Sequence, residues 1–323
     1  MRRLIAIVGV LCMLSGIAIA QRHEVGVGVG VSNFLGDLGR QESKGNWYIN
    51  NLEASLYRPS FKVFYRYTFI QKLAFNTSFN YGWFAGDDRL AVYDNIGDDD
   101  WYRNYRNLQF RTYAMELSVT AEYNILRYAP GSLRDRITPY VFAGIGLLHF
   151  NPAAKYNGEW VRLRPLGTEG QGTPGYGNKY SLVQPVLPIG FGVKYNINRY
   201  WTVAFEFGHR YTTTDYIDDV SGIYVEKDHL FNNYDNETAT MVYELSRRSV
   251  EIDPDGEYGY ITEGGEYRGN PRANDNYLFS MFTVSYNISH ASNGQYTQKK
   301  KSNPFAHKKK KLKKYRKAFK TKS

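Results

Sequence analysis

The chain has 323 residues, 42% hydrophobic and 16% aromatic, with 29 Tyr, 30 Gly, a single Cys and a mean hydropathy of −0.52. That hydropathy excludes a bundle of membrane-spanning helices, each of which needs about 20 consecutive apolar residues, and so many aromatics exclude a chain that stays unfolded in water. The net charge of +10 is uneven: residues 299–323 hold thirteen Lys and Arg and no acid, while residues 21–298 carry 26 basic against 31 acidic residues. A mildly acidic body therefore bears a strongly basic tail.

The N-terminus reads as an export signal, residues 1–20. Arg2-Arg3 is a positive n-region, Leu4 to Leu14 is an apolar run too short to span a bilayer, and Ala18-Ile19-Ala20 fits the small-residue cleavage rule. The mature chain is expected to start at Gln21. Cys12 lies in the signal, so disulfides, thiolate catalysis and cysteine metal sites are excluded from the mature protein.

Eight segments with a period of two follow in residues 21–290. Val25, Val27, Val29 and Val31 alternate with glycines; Phe61 to Phe69 alternate with Lys62, Phe64, Arg66 and Thr68; Leu73 to Trp83 alternate with Asn76, Ser78, Asn80 and Gly82; Tyr113 to Tyr123 alternate with Glu116, Ser118, Thr120, Glu122 and Asn124. Further strands are predicted at Ile137–Phe150, Ser181–Tyr195, Val203–Tyr211 and Phe282–Ile288. The body has no comparable helical period. The connections run 26, 2, 24, 10, 30, 4 and 62 residues, so long and short alternate strictly.

This order puts all long connections at one end and all short ones at the other, the plan of an outer-membrane barrel with external loops and periplasmic turns. The predicted fold class is all-β: an eight-stranded antiparallel transmembrane β-barrel with long external loops, short periplasmic turns and a basic C-terminal tail. A soluble lipocalin-like barrel is the alternative; in lipid the apolar face must point out and closure must satisfy every backbone group. Eight strands leave room only for their own side chains. Arg66, Lys194 and Arg210 are expected to face Glu116, Glu122 and Glu206 across a closed, non-conducting lumen.

Catalytic and metal signals are weak. His23, His149, His209, His229, His290 and His307 show no ligand spacing, and no nucleophile elbow occurs. Asp94, Asp98, Asp99 and Asp100, then Asp215, Asp218 and Asp219, and Asp253 with Asp255, read as solvated loop charge without calcium-loop spacing. Gly167 to Gly177 lacks the features of a phosphate loop. No cofactor, metal or small-molecule substrate is expected, and the protein reads as a non-enzyme.

Ser32-Asn33-Phe34-Leu35-Gly36-Asp37-Leu38-Gly39 follows the Val/Gly strand, and Thr138-Pro139-Tyr140-Val141-Phe142-Ala143-Gly144-Ile145-Gly146 occupies the fifth. Together they resemble the PorG family of the Bacteroidota, an outer-membrane barrel associated with type IX secretion. The resemblance covers roughly residues 21 to 290 and implies a scaffold beside a periplasmic ring complex; the 62-residue loop and the Lys-rich tail depart from it. Taken alone, Gly36 and Asp37 can simply turn the chain out of the strand.

In residues 291–323, Lys308, Lys309, Lys310, Lys311, Lys313, Lys314, Arg316 and Lys317 form the densest cationic segment. An even strand number places both mature termini in the periplasm, where nucleic acid is not a partner. The tail is expected to be disordered alone and to bind an acidic periplasmic ring protein, with outer-membrane lipid as the barrel's other partner. Two further readings remain: an adhesin or receptor acting through its external loops, and an outer-membrane enzyme.

Overall fold

Alternation between two solvents, lipid outside and a tight lumen inside, shapes every long strand. A computed structural model describes residues 22–38, 57–91, 93–257 and 262–288, all within the body Gln21–His290. The expected signal segment, Gly39 and the tail cations lie outside the described residues. The strands are β1 (Arg22–Leu35), β2 (Arg58–Ile70), β3 (Leu73–Asp87), β4 (Gln109–Asn124), β5 (Ile137–Phe150), β6 (Ala153–Tyr156), β7 (Glu159–Arg162), β8 (Val183–Asn196), β9 (Trp201–Thr212) and β10 (Asn276–Asn287). Their order is β3-β2-β1-β10-β9-β8-β5-β4, and pairing of β3 with β4 closes the ring. All barrel pairs are antiparallel. The fold is thus the predicted eight-stranded barrel. β6 and β7 form a hairpin above it, joined to β4 at Arg111↔Ala153.

The outward face is a continuous apolar band: Val27, Val63, Leu117, Ile145, Phe191 and Phe282 are each more than half exposed. Water cannot cover such a band favourably, and a bilayer can. The glycines of β5 serve strand contact. A Cβ at Gly144 would lie 2.1 Å from the Val119 carbonyl oxygen and 2.6 Å from Thr120 Cα, so only Gly lets β4 and β5 meet there.

The lumen is divided. Its loop-side half is apolar, with Phe34, Phe84, Phe110, Leu148, Phe150, Tyr277 and Phe279 packed together and joined from the loops by Leu38, Leu108, Ile217 and Val220. The charges begin with Arg210 and Glu116, level with Tyr277 and Leu148, and continue to the turn side. Three helices stand in the loops, where no helical period was expected: α1 (Asp99–Arg106), α2 (Lys227–Asn233) and α3 (Asn236–Ser246). They are short, and α1 and α3 begin at side-chain caps. Trp101 N donates to the Asp98 carboxylate at 2.7 Å, and Thr238 N to Asp235 at 3.0 Å. Val225, Leu230, Ala239 and Val242 give α2 and α3 a small core of their own. No helix among the described residues is long and apolar enough to cross a membrane.

Candidate functional site

Three polar assemblies occupy the lumen, the loop end and the turn end. In the lumen, β2, β4, β8 and β9 present their charges at inward parity. Arg66 Nε lies 2.9 Å from Glu122 Oε2, and its Nη1 is 3.5 Å from Glu24. Lys194 Nζ donates to the same Glu122 oxygen, Oε2, and to Asn124 Oδ1 at 3.1 Å, and sits 4.1 Å above the Tyr140 ring. Asn76 Nδ2 also donates to Glu122 at 2.7 Å. Arg210 meets Glu116 at 3.2 Å, and the Tyr277 hydroxyl donates to the same carboxylate at 2.8 Å. Glu206 pairs with Lys62 at 2.7 Å and accepts from the Tyr140 hydroxyl.

All six expected lumen charges therefore face inward, but they do not close among themselves. Glu206 takes Lys62, and Arg66 shares Glu24. Both partners were missed. Lys62 stood at inward parity between Phe61 and Val63, and Glu24 one residue before the valine run, so extending the alternation in each direction was the available signal. With them the network holds four cations and four carboxylates and is neutral. Each is almost fully buried, and a charge in that state needs its partner.

At the loop end four of the carboxylates expected to be solvated are buried, while Asp94 and Asp255 are exposed as expected. Asp215, Asp218, Asp219 and Asp253 are all under 10% exposed. Asp218 and Asp253, with Asp37 and Asp275 beside them, serve as acceptors for backbone that no ladder reaches. Leu38 N and Val220 N donate to Asp218, each at 3.0 Å; Ile217 N donates to Asp275 at 2.8 Å; Asn270 N donates to Asp37 at 2.8 Å. Two arginines tie the loops together. Arg106 reaches Asp88 at 2.7 Å, the Asp37 carbonyl at 2.9 Å and the Arg268 carbonyl at 2.6 Å. Arg268 reaches Glu169 at 3.0 Å and the Asp219 carbonyl at 2.5 Å. Thr168 and Tyr180 hydroxyls donate to the Asp219 carboxylate at 2.5 and 2.6 Å.

Burial and crowding raise these acids. Desolvation, then Asp37, pushes Asp215 to about 8 and holds Asp218 well above the carboxylate range. Desolvation, then Asp218, does the same to Asp275. Burial lifts Asp219 to about 6 against the pull of Arg268. The stretch Gly167 to Gly177 supplies Thr168 and Glu169 to this cap. Of the other acid runs, Asp98 caps α1, Asp100 pairs with Arg103 at 3.4 Å, and Asp253 accepts from the Tyr105 hydroxyl at 3.0 Å.

The family-like segment has a larger task than turning the chain. Ser32 Oγ donates to the Trp83 carbonyl at 2.7 Å, Phe34 enters the loop-side core, and Asp37 and Leu38 bind the 62-residue loop through Asn270 and Asp218. A Cβ at Gly36 would lie 2.0 Å from Asp275 Oδ1. Asn33 is buried and Leu35 half-buried on the same stretch.

The ten-residue connection after β4, expected as a simple turn, folds across the barrel mouth. Tyr128 is buried there; its N–H donates to Gln71 O at 3.3 Å and its hydroxyl to Asn196 at 2.7 Å. Asn196 donates back to Ala129 O at 2.9 Å and Ser132 O at 3.2 Å. Gly131, at φ +73°, sits where a Cβ would be 2.4 Å from Arg199 O. This plate and its neighbouring turns carry Lys72, Arg127, Arg134, Arg136 and Arg199 against one carboxylate, Asp135. Both ends of the body, at Arg22 and Ile288, emerge on this side.

Among the described residues, no group of three or more His, Cys, Asp or Glu is arranged to hold a metal ion. The family described as "Domain of unknown function (DUF6089)" matches residues 2–238. No curated protein matches. The chain is similar in fold to the attachment invasion locus protein Ail of Yersinia pestis, at 9% identity over 84% of this chain and 100% of that one, with a TM-score of 0.37. It is likewise similar to OprG of Pseudomonas aeruginosa (9%, 83% and 94%, 0.30) and to Neisserial surface protein A (10%, 82% and 96%, 0.31). Because the family match spans most of its length, the chain belongs to the DUF6089 family.

Proposed function

We propose that this member of the DUF6089 family is a non-enzymatic outer-membrane scaffold, comparable in role to the PorG component of type IX secretion. In this reading it holds a periplasmic ring protein beneath the barrel. One observation carries it: the lumen is sealed at the loop end by an apolar core and hydrogen-bonded cap, and at the turn end by the 127–136 plate. A sealed, neutral interior leaves the outer surfaces as the working parts. On the turn side the plate is cationic, and in this reading the tail, with Lys308–Lys311, Lys313, Lys314, Arg316 and Lys317, is expected to add its charge in the periplasm. Such a surface attracts acidic partners over about 8 Å at physiological salt.

Truncation after Gln298 tests this reading. The barrel should still insert and migrate differently boiled and unboiled, while a salt-sensitive periplasmic partner is lost from detergent purifications. A truncated barrel that keeps its partner at every salt concentration overturns the tail's role. A second reading, an adhesin or receptor, is favoured by exposed apolar side chains on the cap, with Tyr267 73% and Ile96 66% exposed. Deleting residues 214–275 would remove Ile217 and Val220 from the core. Tyr267→Ser with Ile96→Ser is the cleaner probe: an adhesin loses cell binding and a periplasmic scaffold does not.

A further inference from the structure

The outer wall of the barrel changes character where β4 leaves the apolar band. Below, Met115, Leu117 and Val119 of β4 and Ile145 and Leu147 of β5 face outward, each more than a third exposed. Next comes an aromatic level. Tyr113 stacks on His149, ring centroids 5.6 Å apart, and is paired across the strands with Trp83. One outward position further, about 7 Å along the strand, stands Arg111, which is exposed.

The β6–β7 hairpin extends this wall instead of folding over the lumen. Arg111 pairs with Ala153, and Ala153 with Arg162, so Arg111 and Arg162 share a face across three strands. Lys155 and Trp160 are the next cross-strand pair on that face. The Arg111 guanidinium lies 3.6 Å from the Trp160 ring centroid and Lys155 Nζ 5.7 Å from the same ring, while Arg162 lies 5.4 Å from the Tyr113 ring. The Arg162 guanidinium is further fixed by donating to Asn151 O at 2.5 Å. Among the described residues none of the three cations has an ion-pair partner.

We propose that Arg111, Lys155 and Arg162, held by Trp160 and Tyr113, form a binding site for the phosphate groups of a phosphorylated glycolipid in the external leaflet. Three exposed cations held together without a carboxylate repel one another, and an anion seated between them relieves that repulsion. Their place directly above the apolar band and the aromatic level is where lipid phosphates lie. A soluble acidic protein would meet the cap and not this lipid-side wall. The fixed guanidinium forks suit phosphate oxygens, and the aromatic faces orient them without neutralising their charge. The inference rests on the outer-membrane placement proposed above, with the loops outside, and not on the secretion role.

The test uses the full-length protein in detergent micelles, checked for folding by heat-modifiable migration. Native mass spectrometry would measure binding of diphosphorylated lipid A, dephosphorylated lipid A and inorganic phosphate. The native protein should prefer the diphosphorylated lipid. Each substitution among Arg111→Gln, Lys155→Gln and Arg162→Gln should weaken it roughly fivefold, since a cation at an anionic lipid surface contributes about 1 kcal/mol. The triple variant should bind both lipids alike and remain folded. Equal affinity of the native protein for both lipids overturns the site, as does undiminished binding by the folded triple variant. Displacement of the lipid by millimolar inorganic phosphate overturns the assignment to a lipid. Loss of the periplasmic partner on tail truncation is independent of every arm, so failure of this site and of the scaffold role are told apart.

Discussion

Replacing Glu122 by Gln tests the lumen most directly. Glu122 lies between Arg66 and Lys194 and also accepts from Asn76. Gln preserves the shape and leaves two buried cations beside a neutral amide. Arg66 retains only Glu24, at the longer 3.5 Å. Lys194 retains Asn124 and the Tyr140 ring, neither of which carries a charge. Removing one partner of a buried pair costs about 3–5 kcal/mol, and because two cations lose theirs the upper end applies. The exposed pair Arg89–Asp87, at 56% and 23% side-chain exposure, sets the contrast: breaking it should change stability by at most about 1 kcal/mol. Lys194→Met in the Glu122→Gln background should recover part of the loss, since the added substitution removes one of the stranded charges. Urea unfolding of the barrel in lipid vesicles, followed by tryptophan fluorescence and gel migration, gives the free energies. A Glu122→Gln cost below about 1 kcal/mol, or a double variant whose cost is the sum of the singles, would falsify the picture of a mutually dependent network.

Planar-bilayer recordings should show no large stable conductance, and a reproducible porin-like step would contradict a sealed lumen. The cap should respond to pH. Asp215, buried with Asp37, Glu169, Asp218 and Asp275 as acidic neighbours, binds its proton more tightly folded than unfolded. Stability from this group is therefore full at acid pH, below the ordinary carboxylate value near 4, and is lost as pH rises to about 8. Amide exchange at Leu38, Ile217 and Val220, corrected for intrinsic rate, should be slower at pH 5 than at pH 8, and Asp215→Asn should flatten the difference; an unchanged slope would count against it. Gly144→Val should destabilise the barrel by about 1–3 kcal/mol through overpacking against β4, seen as a lower urea midpoint; an unmoved midpoint would show that β4 and β5 can separate at no cost.

The strand count, the closure and the two faces of the wall were legible because lipid and lumen are different solvents on opposite sides of every strand. The side-chain period of two writes that difference directly into neighbouring residues, from Val25 through Tyr286. The alternation of connection lengths placed the loops on one side for the same local reason. Arg66, Lys194, Arg210, Glu116, Glu122 and Glu206 were readable as inward charges by parity alone. Their pairing was not, because a partner such as Lys62 for Glu206 lies 144 positions away and the choice depends on barrel circumference and stagger. The cap was least legible. Asp215, Asp218 and Asp219 look like any acidic loop until Phe34, Ile217 and the arginines Arg106 and Arg268 exclude water from them. Whether such a residue is solvated charge or a buried acceptor depends on chain segments that meet only when four loops pack together. The cationic patch on the wall has the same origin. Arg111 and Arg162 come together because β6 and β7 continue the sheet beside β4, a register that only the folded barrel supplies.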